Sequence, residues 1–316
     1  MLNKNSFIYL LFREVRPRQW LKNVLIFAPI IFGKKLFDVE PFYKSFVAFL
    51  AFCFAISFTY ILNDIVDKDK DKLHPIKQNR PIASGKLSVK IAFIFALIFL
   101  VFSFLLSYSV NIYLFYLIVG YILMQIMYSF ILKNYIIIDA LTVSFGFILR
   151  VFAGGVATTT SISSWLVLTI IGGSLLLAFG KRRAEKTVLS SHNITLKTRE
   201  TLKHYPDTLL DSMISTASSF TIISYSWFAF QTSPSNTTPS LVSYIFPSIL
   251  SSPKWMMFTI PVVIYAVARY LYVIYEKKDA ESPERVIFSD KPLLFSVVLW
   301  GVSIFIFYYL FGTVNL

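Results

Sequence analysis

Four carboxylates and one amide fall within nine residues at Asn63-Asp64-Ile65-Val66-Asp67-Lys68-Asp69-Lys70-Asp71, where a long apolar run ends. On a helix, Asn63, Asp67 and Asp71 stand at i, i+4 and i+8. They form one stripe with about 6 Å of rise between successive members, and Asp64 lies beside it. A row of oxygen donors suits Mg²⁺, which takes a few carboxylates and completes its shell with the phosphate oxygens of a substrate. Directly downstream, His74, Lys77 and Arg80 add cationic donors of the kind that bind phosphate. The plainer reading is a solvated charged loop between two membrane helices. The four-residue spacing, and the join of acids to bases at a membrane boundary, favour a metal–phosphate site.

Three further groups of charges need an explanation. Tyr128, Ser129 and Lys133 precede Asp139, near the start of an apolar stretch, and Arg150 follows eleven residues later. Eleven residues make about three helical turns plus 20°, so Asp139 and Arg150 face one direction some ~16 Å apart. Charges at such depth face a polar cavity or a partner, so the stretch reads either as part of a site or as a helix-packing ion pair. Lys181, Arg182 and Glu185 share a helical face. A basic cluster at a helix end also follows from membrane orientation alone, but Glu185 could orient a cation or join a metal shell. Arg269, inside another apolar stretch, reads equally well as a structural ion pair. There is no Walker loop, dinucleotide-binding glycine fingerprint or zinc spacing, and His occurs only at 74, 192 and 204. Carboxylate–metal–phosphate chemistry remains.

The elements that must position these residues are membrane helices. The 316-residue chain is 56% hydrophobic and only 15% charged, whereas a soluble domain carries about a quarter charged residues. We expect an all-α polytopic membrane protein, one transmembrane domain over 1–316. Its nine spans lie near 22–33, 42–63, 89–107, 112–132, 135–156, 164–181, 211–231, 255–275 and 292–311. Most approach the ~20 residues needed to cross a bilayer; the first is short. Residues 1–21 read as a basic amphipathic lead-in on the cytoplasmic surface, with Trp20 at headgroup level. With the N-terminus inside, the segments 1–22, 64–90, 133, 181–203 and 277–291 hold 24 of the 30 Lys and Arg. That asymmetry is the positive-inside pattern, and it accounts for the net charge of +13 without nucleic acid. The N-terminus and the candidate loops near 63–90, 133–139, 181–203 and 277–291 are therefore expected on the cytoplasmic face of the cell membrane. The lone Cys53 permits no internal disulfide. A transporter would predict inverted repeats with broken helices, and no such symmetry is evident.

Asn63-Asp64-x-x-Asp67-x-x-x-Asp71, ending an early span, resembles the first signature of the UbiA superfamily of intramembrane prenyltransferases. The likeness continues through Arg16-Pro17-Arg18-Gln19-Trp20-Leu21-Lys22-Asn23, His74-Pro75 and Arg80-Pro81-Ile82-Ala83-Ser84-Gly85. It extends to Tyr128-Ser129 with Lys133, and to Asp139 with Leu149-Arg150 and Ala153-Gly154-Gly155. Gly180-Lys181-Arg182 with Ala184-Glu185, and Arg269-Tyr270, complete it. The resemblance implies nine helices around a central cavity open to lipid, with Asn63, Asp64, Asp67 and Asp71 around Mg²⁺ and a diphosphate.

Within the superfamily the likeness is to the branch that moves 5-phosphoribosyl from phosphoribosyl diphosphate (PRPP) to a decaprenyl-type polyprenyl phosphate, releasing pyrophosphate. It implies catalytic roles for Asp67, Asp71 and Asp139, the last on the metal or on the ribose. It implies substrate contacts for Lys22, His74, Lys77, Arg80, Tyr128, Lys133, Arg150, Lys181, Arg182 and Glu185. The alternative is transfer from a prenyl diphosphate to an aromatic acceptor such as 4-hydroxybenzoate. Enzymes of that branch usually carry a second Asp-x-x-x-Asp signature; here Val143 stands four residues after Asp139, which favours the phosphoribosyl branch.

Overall fold

A lipid environment offers the backbone no hydrogen-bond partners, so apolar runs of this length must satisfy themselves as helices. The computed structural model describes residues 6–73, 77–191, 204–233, 254–277 and 283–310, and among them there is no strand. Seven helical stretches are long and apolar enough to cross a membrane: Val39–Val66, Val89–Val110, Ile112–Phe130, Ile138–Thr158, Ser164–Thr187, Trp255–Glu276 and Lys291–Leu310. The protein is a multi-pass membrane protein. Its helices group into two compact units. One holds the described residues up to Ile162 together with His204 and Tyr205; the other holds Ser163–Ser191 and the described residues from Pro206 onward.

In the first unit, α1 (Phe7–Val15) leads into a 3-10 segment, Pro17–Phe27, and the short α2, Ala28–Phe32. Then come α3 (Val39–Val66), α4 (Lys68–Lys72), α5 (Val89–Val110), α6 (Ile112–Phe130) and α7 (Ile138–Thr158). The core is built on small residues that let helices approach closely. Ala48, Ala51 and Ala55 of α3, with Ala92 and Ala96 of α5, are fully buried in one cluster. The Ser103 hydroxyl of α5 donates to the Ala51 carbonyl at 2.9 Å.

The first expected span, 22–33, is not one α-helix. Pro17 and Pro29 remove two backbone donors, and the chain stretches as 3-10 from Pro17 to Phe27 before turning α-helical. Eleven residues at about 2.0 Å each and five at about 1.5 Å give roughly 30 Å, the thickness of the hydrocarbon core. The contacts follow that length in order. Arg16 meets Asp64, Trp20 meets Ser57, Asn23 meets Cys53 and Arg150, and Gly33 lies against Thr160. The segment thus runs along α3 and along the C-terminal half of α7. Its close approach to α7 depends on Gly154, where a Cβ would collide with the Ile26 carbonyl oxygen.

In the second unit, α8 (Ser164–Ser191) packs on α9 (Asp207–Thr232), Gly172 lying against Thr221. The α9 helix covers the expected span at 211–231 but is rich in hydroxyls. Ser218, Thr221, Ser224 and Ser226 each donate to a carbonyl one turn back, at 2.6–2.8 Å, so the polar groups are satisfied within the helix. Trp255–Thr259 leads into α10 (Ile260–Tyr272); α11 (Pro283–Ser289) and α12 (Lys291–Ile304) follow. Arg269 of α10 takes both oxygens of Asp290 at 2.9 and 3.0 Å. Asp290 also caps α12 by accepting from the Leu293 N–H. The ion-pair reading of Arg269 is the one realised.

Candidate active site

The acidic stripe sits where α3 gives way to α4. Asp67 is the one residue between them, yet its N–H still donates to the Asn63 carbonyl and its carbonyl accepts from the Asp71 N–H, both at 2.8 Å. The i, i+4, i+8 row therefore survives the junction. Arg80 returns over this row, held by a turn in which Ser84 N–H donates to the Arg80 carbonyl and Gly85 takes a positive φ of 73°. Its guanidinium bridges two acids, 2.9 Å from Asp64 and 2.5 Å from Asp71. Burial raises the Asp71 carboxyl above its ordinary value, against the pull of Arg80 and Lys77. Lys133, on the short turn Leu132–Asn134 between α6 and α7, reaches both oxygens of Asp67 at 2.7 and 2.8 Å.

Two further residues enter from the N-terminal segment. Arg16 lies between α1 and the 3-10 segment with φ 54° and ψ 62°. This left-handed conformation costs a non-glycine residue about 1–2 kcal/mol. Its guanidinium grips both Asp64 oxygens and stacks 4.7 Å over the Tyr60 ring. Glu14 is 1% exposed, and neither of its oxygens has a hydrogen-bond partner. Burial first, and then the neighbouring charge of Asp64, push its carboxyl up to about 8.

Other expected site residues lie elsewhere. Asp139 is fully buried at the start of α7 and accepts from the Tyr205 hydroxyl at 2.6 Å, while that hydroxyl accepts from the Ile137 N–H. Arg150 does not pair with it. The guanidinium donates to Asn23 Oδ1 at 2.8 Å, to the Tyr121 hydroxyl at 3.0 Å and to the Gly146 carbonyl, with the Phe52, Tyr121 and Phe147 rings around it. Arg150 thus ties the 3-10 segment to α6 and α7. Lys22 stands 6.0 Å from the Phe147 ring, Tyr128 and Lys77 are half-buried, and His74 lies outside the described residues. In the second unit, Lys181 is half-buried, and Arg182 and Glu185 form a buried pair at 2.8 Å.

The first unit thus joins a row of acids to three cations drawn from separate elements, at the end of the longest apolar helix. Residues 34–290 match the family model of the UbiA prenyltransferase family. The chain belongs to the UbiA prenyltransferase family. Decaprenyl-phosphate phosphoribosyltransferase of Corynebacterium glutamicum is 34% identical to this UbiA protein, over 91% of this chain and 83% of that one. The enzyme of the same name from Mycolicibacterium smegmatis is 31% identical over 92% and 89%. A UbiA homolog from Archaeoglobus fulgidus, solved bound to GPP and Mg²⁺, shares the fold with a TM-score of 0.66 at 18% identity. The match covers 95% of this chain and 99% of that one.

The donor set of this UbiA protein fits a hard divalent cation. Asn63, Asp64, Asp67 and Asp71 offer only oxygen. Among the described residues no three acids, histidines or cysteines converge into a ready-made cage. Mg²⁺ rarely uses such a cage, because it keeps positions for substrate phosphate and water. Arg16, Arg80 and Lys133 now neutralise the acids that would hold it.

Sequence reasoning placed Arg16 inside a motif but gave it no role, and it missed Glu14 and Tyr205. The signal for Glu14 was present. It stands four residues after Leu10, on the buried face of α1, so an acid occupied an apolar stripe. Tyr205 gave no signal, since its partner lies 66 residues away.

Proposed function

We propose that this protein transfers the 5-phosphoribosyl group of PRPP to a polyprenyl phosphate of the decaprenyl type, releasing pyrophosphate. The observation that supports this most directly is the meeting of Asp64, Asp67 and Asp71 with Arg16, Arg80 and Lys133. An acid row serves a metal-bound diphosphate, and so many bases suit two phosphorylated substrates. The relatives named decaprenyl-phosphate phosphoribosyltransferase, matched over about nine-tenths of the chain, supply the substrates by analogy.

In this reading Asn63, Asp67 and Asp71, with Asp64 beside them, hold Mg²⁺. The bound ion would neutralise the diphosphate leaving group. Arg80, Lys133 and Lys77 add positive charge to the same oxygens as the bond from the anomeric carbon to the diphosphate breaks. An oxygen of the lipid phosphate forms the new bond to that carbon from the opposite face. This nucleophile is already anionic at neutral pH, so no side chain need remove a proton. Catalysis rests on positioning and charge stabilisation. Asp139, held by Tyr205, is assigned to the ribose hydroxyls or the metal shell. The same reading has nine crossings, counting the stretched Pro17–Phe32 segment, with the N-terminus and the 63–90 loop on the cytoplasmic side. The distribution of Lys and Arg supports that orientation.

The test uses purified protein in detergent with Mg²⁺. One reaction receives PRPP and a polyprenyl phosphate; the other receives a prenyl diphosphate and 4-hydroxybenzoate. A phosphoribosylated lipid in the first, lost on chelation and in Asp67→Ala, is expected. Product in the second alone would overturn the assignment and make the lipid the electrophile.

A further inference from the structure

Asp64 is 2% exposed and serves two masters. Arg80 reaches it from the loop that follows the acidic row and also binds Asp71. Arg16 reaches it from a separate element, 48 residues away in sequence, and takes both oxygens. The Arg16 guanidinium is aimed rather than draped. The Tyr60 ring lies beneath it, and the Tyr60 hydroxyl is bonded to Gln19 Oε1 at 3.0 Å. One turn back on α3, Ser57 holds Trp20 at 3.2 Å and lies 3.3 Å from the Val15 carbonyl. The α1–3-10 junction is thereby clamped to α3 with Arg16 in a left-handed conformation. Strained backbone of this kind persists where its surroundings over-determine it. Glu14, two residues earlier, is buried beside Asp64 and within the field of Arg16 and Arg80, so the same junction packs a second carboxyl against Asp64.

A carboxylate has about four lone-pair positions. Arg16 and Arg80 occupy three on Asp64. A divalent cation bound there would sit about 2.1 Å from a carboxylate oxygen, next to a full positive charge held on the same group.

We propose that Arg16 is a built-in competitor of the divalent cation for Asp64, an internal counter-cation that must leave before the metal can use that carboxylate. This rests on the metal–diphosphate reading above and deepens it. An isolated divalent cation has nothing to offer the displaced guanidinium. A cation arriving with a diphosphate brings new oxygens for it. The pair is then favoured over the bare ion, so the acids stay neutralised until the donor substrate is present.

The test reads metal binding directly. Mn²⁺ is titrated into the full-length protein in detergent, free of phosphate, and bound ion is followed by electron paramagnetic resonance. Arg16→Gln is expected to bind Mn²⁺ at least about tenfold more tightly than wild type, with Arg16→Lys between them, because its shorter side chain keeps the charge but holds it farther from Asp64. The gain should vanish when Asp64→Asn is added to Arg16→Gln. Affinity in Arg16→Gln equal to or weaker than wild type, with Mn²⁺ binding still lost in Asp67→Asn, would overturn the competition and leave the metal site standing. Binding that is indifferent to Asp67→Asn in every protein would overturn both. Should Arg16→Gln fail to fold, Arg16→Met removes the charge while keeping most of the apolar stem, and an unchanged affinity in it would refute the proposal.

Discussion

Replacing Lys133 by methionine removes one positive charge from the acidic row while keeping most of the side-chain volume. Lys133 Nζ lies 2.7 and 2.8 Å from the two Asp67 oxygens, with the side chains only 14% and 17% exposed. A hydrogen bond to a charged group contributes about 1.5–3 kcal/mol, and an exposed ion pair less than about 1. This partly shielded pair belongs near ~2 kcal/mol. In the ground state that energy is spent on Asp67. During transfer, negative charge accumulates on the diphosphate as its bond to the anomeric carbon breaks, and an ammonium beside it is stabilising in the transition state. Each ~1.4 kcal/mol is tenfold in rate, so kcat/KM for PRPP should fall about 10–100-fold. Lys133→Arg should recover part of the loss. The assay is initial-rate formation of phosphoribosylated lipid over a matrix of PRPP and Mg²⁺ concentrations. The half-saturating Mg²⁺ should not rise, because the competitor for Asp67 has gone. A kcat/KM within twofold of wild type would refute the reasoning, and would reduce Lys133 to a neutralising partner of Asp67.

Gly154→Ala should lower the melting temperature in detergent, since the new Cβ meets the Ile26 carbonyl and Pro29 Cδ, an overpacking cost of about 1–3 kcal/mol. Gly120→Ala, with nothing within 4 Å of its Cβ, is the neutral control, and equal melting temperatures for the two variants would contradict the packing account. Glu14→Gln tests the buried carboxyl. Its pKa is raised from 4.5 to about 8 in the folded protein, so folding takes up a proton between those values and this group's contribution to stability falls as pH rises through that window. With chelator present, the melting temperature of Glu14→Gln should gain on wild type steadily from about pH 5 to about pH 8; a gap independent of pH would exclude the raised pKa.

The acidic row was legible in the sequence because it is local. Asn63, Asp67 and Asp71 are joined by successive i to i−4 backbone bonds, and helical periodicity needs nothing beyond the chain itself. Most of the spans were legible for a similar reason, since apolar length alone forces backbone bonds inward. The mixed 3-10 and α conformation of the first span was not legible, because it is imposed from outside. Pro17–Phe27 is stretched as 3-10 along α3 and α7, and only the packing of Ile26 on Gly154 and the bonds of Asn23 to Cys53 and Arg150 make that state fit. Partner choice was equally hidden. Asp139 and Arg150 share a helical face, as their spacing required, yet they bond to Tyr205 and Asn23 instead of sharing an ion pair. The sequence by itself determined a membrane-embedded helical chain with metal-capable acids at one helix end, because composition and periodicity act over a few turns. Only the tertiary structure decided which cations answer those acids. Arg16, Arg80 and Lys133 arrive from 48, 16 and 66 residues away, and the energy of a charge pair depends on separation in space, which sequence distance does not report.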